Sequence, residues 1–165
     1  MANDGSRVLV AGIGNIFNRD DAFGVSVAAK LAREPLPLNV RVVDFGIRGF
    51  DLMSELLDGY DLTIFVDAVS RGGAPGTLYT IEPDMDTIPE NQASAENPHG
   101  LDPLNVLAAV KSAGAPLGRV LVVGCEPALL EDDTGSIGLS EPVEAAVEPA
   151  VEMIRSLISK KGDLT

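Results

Sequence analysis

Residues 7–33 read RVLVAGIGNIFNRDDAFGVSVAAKLAR, and the pattern changes halfway along. Residues 7–12 form a short Val-rich run that ends on glycine, as a buried strand does. Beyond the turn residues, Val25, Ala28, Ala29 and Ala32 fall on one face of a helix over residues 21–33. A strand passing through glycines into a helix is the opening of an alternating fold.

The alternation continues along the chain. Residues 40–45 (VRVVDF), 62–66 (LTIFV), 77–81 (TLYTI) and 119–124 (RVLVVG) are further strand-length runs. Between them lie helical patterns at 50–57, with Leu52, Met53, Leu56 and Leu57 together, and at 104–110. In the last helix Val143, Val147, Ala150, Val151, Ile154 and Ile158 share a face opposite Glu144, Glu148, Glu152 and Arg155. Ser140 is its expected N-cap, Pro142 fits the first turn, and Pro149 is expected to kink it. The reading is a single α/β domain over residues 1–165 with a mainly parallel sheet. With no Trp and only 4% aromatic residues, the core must be aliphatic, which suits strands buried on both faces.

Charge narrows the function. Twelve basic against 25 acidic residues leave a net charge of −13, too few cations to neutralise a phosphate backbone, so no nucleic-acid partner is expected. Residues 72–110 hold no Lys or Arg but six acids, a pattern of either a solvated face or a surface that steers a basic peptide or a metal. Cys125 is the only cysteine, which rules out an intrachain disulfide framework and fits a reducing compartment. Residues 1–7 carry no apolar leader and the first apolar run is far too short to span a bilayer. A cytoplasmic location away from membranes is expected.

In open α/β sheets, sites gather beyond the carboxyl ends of the strands. Gly12-Ile13-Gly14 there hints at a nucleotide or other small-molecule module, but Phe17 replaces the third glycine and Asp20-Asp21 would repel a pyrophosphate. One of those aspartates is readily explained as a helix cap; both are not. Asp67 ends an apolar strand and needs either turn amides or a cation to stay charged. His99, the sole histidine, ends the polar loop 83–98, which should return to the same edge. Asp21, Asp67 and His99 would then converge as a nitrogen and oxygen set suited to nickel or zinc, with positions left open. Asp44 could cap a turn or act as general base or peptide-binding carboxylate. Cys125 with His99 is the alternative, a cysteine peptidase pair.

Gly12-x-Gly-Asn15, Asp20-Asp21-x-x-Gly24-Val25, Asp44-x-Gly46, Asp67-Ala68, Pro75-Gly76-Thr77 and Pro98-His99 occur in order, followed by the C-terminal helix. Together they resemble the hydrogenase maturation endopeptidases, over nearly the whole chain from residue 8 to 157. The resemblance implies an α/β/α sandwich of the phosphorylase/hydrolase-like kind. It implies removal of a C-terminal extension from a nickel–iron hydrogenase large-subunit precursor after nickel insertion. By matching position, Asp21, Asp67 and His99 are the nickel-recognising residues. The nickel is carried by the substrate; the protein, expected to be a monomer, should bind nickel, cadmium or zinc only weakly by itself. Residues 44–49 (DFGIRG) depart from the common Asp-Gly-Gly-Thr form.

Overall fold

The computed structural model describes residues 5–88, 101–130 and 137–162. Five strands form one sheet: β1 (Val8–Ile13), β2 (Val40–Gly46), β3 (Leu62–Ala68), β4 (Leu78–Ile81) and β5 (Arg119–Cys125), in the order β2-β1-β3-β5-β4. The first four in that order run parallel, and β4 lies antiparallel to β5 at one edge. All six residues of central β1 are buried, as are the first five of β3, which is why both read as mainly apolar runs.

Side-chain alternation sends the two faces of the sheet into two cores. Val8, Val10, Ile64, Val66, Leu121 and Val123 meet helix α1 (Phe23–Leu31) and helix α4 (Glu141–Gly162) through Phe23, Val27, Leu31, Val147, Val151 and Ile154. Leu9, Ala11, Ile13, Phe65 and Val120 meet α2 (Gly49–Leu57) and α3 (Pro103–Ser112) through Leu52, Leu56, Leu107 and Val110. Helices on both faces make the expected α/β/α sandwich. Each large aliphatic side chain in these cores contributes about 1.5–3 kcal/mol.

Element boundaries differ from expectation mainly before α1. A 3-10 turn, Arg19–Ala22, replaces the first turn of the expected helix, and Asp20 and Asp21 both lie in it. Arg19 takes a positive φ of 49°, an uncommon backbone for a side chain of its size. At the other end, α4 begins just after Ser140, whose carbonyl accepts from Glu144 N at 2.8 Å. The helix runs on through Pro149. No helix among the described residues is long and apolar enough to cross a membrane.

Candidate functional site

The strand registers bring four carboxyl ends level. Gly12 pairs with Asp44 of β2 and with Val66 of β3, and Asp67 pairs with Gly124 of β5. A register shift after Gly12, where Ile13 pairs with Gly46, lets β2 bend away from the sheet at this point.

Glycine decides how close α1 comes. A Cβ on Gly24 would stand 1.9 Å from Val66 O and 2.3 Å from Ile13 O, and one on Gly12 would stand 2.6 Å from the Ala28 Cβ. The first turn of α1 therefore rests directly on the ends of β1 and β3. Gly12 is accounted for by packing against α1, and Gly14 by its φ of 143° and the approach of Asp21 O, which a Cβ there would meet at 1.7 Å, so the small-molecule reading of that turn loses its support.

This contact sets the two aspartates on different tasks. Asp20 is fully buried; its carboxylate accepts from Ala128 N, Leu129 N, Ser140 N and the Ser140 hydroxyl at 2.7–2.8 Å. Burial alone would raise its pKa, but these donors hold it below the ordinary carboxylate value. Asp21 is half-buried and accepts from Asn15 N at 2.8 Å. Asp20 braces the fold, while the Asp21 carboxylate takes a single hydrogen bond among the described residues and stays half-buried.

Asp67 is half-buried, and its Oδ1 accepts from Ala68 N at 2.9 Å. Burial, then the charge of Asp21, push its pKa up to about 8; the Ala68 amide lowers it and Asp102 raises it further. The structure thus brings Asp21 and Asp67 together, with Asp102 close enough to be felt. A divalent cation or a proton relieves such like-charge crowding. Asp102 was legible only as part of an acidic stretch; in the structure it is the N-cap of α3, its Oδ1 accepting from Leu104 N at 2.9 Å.

Asp44 is exposed at the end of β2. Its neighbours Val43 and Phe45 enter the α2/α3 core while Val42 enters the other, so Asp44 lies on the α1 face and Asp67 on the opposite one. Two strand spacings, roughly 10 Å, separate their backbones. His99 lies outside the described residues. The described chain resumes at Leu101, whose Cδ1 is 3.9 Å from a Cβ placed on Gly49, at the carboxyl end of β2. Among the described residues no three His, Cys, Asp or Glu form a metal-holding group.

Cys125 is wholly buried, and its thiol is pushed up to about 11 by burial and then by Asp20 and Glu126. A thiol held protonated inside the core is not a nucleophile, which corrects the cysteine-peptidase alternative. Glu126 next to it, only 5% exposed, was not foreseen. It accepts from Arg71 N, Gly72 N and the Tyr79 hydroxyl, tying the loop after β3 to the end of β5.

A family model described as hydrogenase maturation protease matches residues 25–157. Hydrogenase 2 maturation protease of Escherichia coli K12 is 33% identical over 157 residues, covering 94% of this chain and 93% of its own length. Among solved structures, the hydrogenase maturating endopeptidase HybD from E. coli superposes with a TM-score of 0.74 at 34% identity, covering 94% of each chain. A NiFe hydrogenase maturation protease, HycI from Thermococcus kodakarensis KOD1, superposes with a TM-score of 0.72 at 27% identity, covering 93% of each.

Proposed function

Because the chain belongs to the hydrogenase maturation proteases, we propose that it trims a nickel–iron hydrogenase large-subunit precursor only after nickel is in place. The precursor's own ligands hold the nickel and leave positions open. Asp21, Asp67 and His99 fill those positions, and so distinguish loaded from empty precursor. One observation supports this above others: close packing at Gly24 seats the turn that carries Asp21 against the end of β3, near enough for Asp67 to feel its charge, and a cation is the natural complement of such a pair. The described chain also reaches this edge at Leu101 and Asp102, two and three residues after His99.

Docking on the metal holds the C-terminal extension across the sheet edge, and holding reactants in place supplies much of the rate. Asp44, exposed at the end of β2 two strands away from Asp67, is the carboxylate assigned to the scissile peptide. As general base it takes a proton from water, whose oxygen bonds the carbonyl carbon as the C–N bond breaks and the leaving amine gains a proton. Cadmium or zinc can stand in for nickel at the same ligands. The enzyme works as a monomer in the reducing cytoplasm, where its single thiol stays free.

The test is a cleavage time course on nickel-loaded precursor with His99→Ala and Asp44→Asn, each run beside a thermal melt. Both variants should fold normally and cut at least tenfold more slowly. Wild-type rates with His99→Ala would remove the nickel-reading role from that residue.

A further inference from the structure

Eight of the ten exposed large hydrophobic side chains among the described residues stand on loops and helix starts at the carboxyl edge of the sheet. The most exposed of these are Phe17, at 71%, and Phe50, at 81%. Leu38, fully exposed, lies before β2 at the other edge. Scattered exposed hydrophobics need no explanation, but a concentration around one polar centre marks a surface that is covered in use.

The rim is wired to the site. Phe17 N donates to Asn15 Oδ1 at 2.9 Å, and Asn15 N donates to Asp21 Oδ2 at 2.8 Å. Gly14 N donates to Gly46 O at 3.0 Å, joining the Phe17 loop to the segment that leads into α2 and Phe50. A Cβ placed on Gly49, the first residue of α2, would lie 3.9 Å from Leu101 Cδ1, three residues before Leu104 at the start of α3. Phe17, Phe50 and Leu104 thus stand on segments at the same carboxyl edge of the sheet as Asp21 and Asp67.

We propose that Phe17 and Phe50 are specificity-determining anchors that dock the folded body of the precursor, apart from the residues that read its metal. This rests on the reading of the site given above, since a peptide cut at this edge must bring its parent protein against the rim. A second copy of this chain is the poorer occupant, because two molecules of net charge −13 repel on approach. Phenylalanine is among the residues enriched at the buried centre of protein interfaces. The acidic pair reports whether metal is present; the apolar rim selects which polypeptide presents it.

Binding of purified precursor, nickel-loaded and metal-free, would be measured for the wild type, for Phe17→Ser/Phe50→Ser, for Leu38→Ser and for Asp67→Asn. The double variant should melt as the wild type does and bind both precursor forms at least tenfold more weakly. Leu38→Ser should bind as the wild type. Asp67→Asn should lose affinity for the nickel-loaded form alone, and if it does not, the metal reading fails while the rim comparison stands. Equal affinity of double variant and wild type overturns the proposal. So does a wild type that binds no precursor, or a double variant whose only change is loss of self-association in sedimentation.

Discussion

Ser140 donates two hydrogen bonds to Asp20 from 120 residues along the chain, its N to Oδ1 at 2.7 Å and its hydroxyl to Oδ2 at 2.8 Å. Ala128 N and Leu129 N complete the set, so one carboxylate joins the start of α1, the chain after β5 and the start of α4. Asp20→Ala leaves these donors without their acceptor and should cost about 3–5 kcal/mol. At this chain length that is a fall in Tm of roughly 10 °C. The folded pKa of Asp20 is lowered, so its contribution is present above the ordinary carboxylate value and is lost as pH falls through the lowered one. Melts from pH 7 downwards should show the gap between wild type and variant closing at the acid end.

Gly24→Ala should be among the most damaging single changes. Its methyl would meet Val66 O at 1.9 Å and Ile13 O at 2.3 Å, backbone atoms of two central strands that cannot give way. A loss of about 2 kcal/mol or more is expected, by overpacking. Any folded fraction should cut slowly, because the 3-10 turn that carries Asp21 has been lifted off the sheet. A melt and a cleavage assay on the soluble fraction check both statements.

Asp67→Asn should part stability from activity. The folded pKa of Asp67 is about 8 against 3.8 as a free side chain, so the fold binds this proton more tightly than the unfolded chain does. Stability from this residue is complete below pH 3.8 and drains away as pH rises to about 8. Asparagine keeps an oxygen for Ala68 N and cannot ionise. The variant should match the wild type near pH 4, exceed it by about 1 kcal/mol or more at pH 8, roughly 2–4 °C in Tm, and cut poorly throughout. A variant less stable than the wild type at pH 8 would contradict this.

Cys125→Ala should leave cleavage within about twofold of the wild type. The thiol is buried and protonated, so its removal costs packing alone, about 1 kcal/mol. Abolished cleavage with an intact melt would restore the thiol to the mechanism.

The strands were legible because most of β1, β3 and β5 is buried on both faces, which writes them as mainly apolar, β-branched runs. The start of α1 was not. Two adjacent aspartates give no local sign of which one meets Ser140 and Ala128, since those partners arrive only through the fold. Asp67 at a strand end was legible; the charge it feels from Asp102 depends on where α3 begins. Asp44 was found at its strand end, but the face it occupies became plain only from the cores that Val42, Val43 and Phe45 join. Phe17 read merely as a glycine missing from a nucleotide motif, and its exposure became plain only in the structure.

The central claim is that metal in the precursor licenses the cut at Asp21 and Asp67. The most direct test gives the wild-type enzyme purified large-subunit precursor in two forms, nickel-loaded and metal-free, and follows loss of the C-terminal extension over time. Rapid cleavage of the loaded form with none of the empty one is the predicted result. Equal cleavage of both would contradict it.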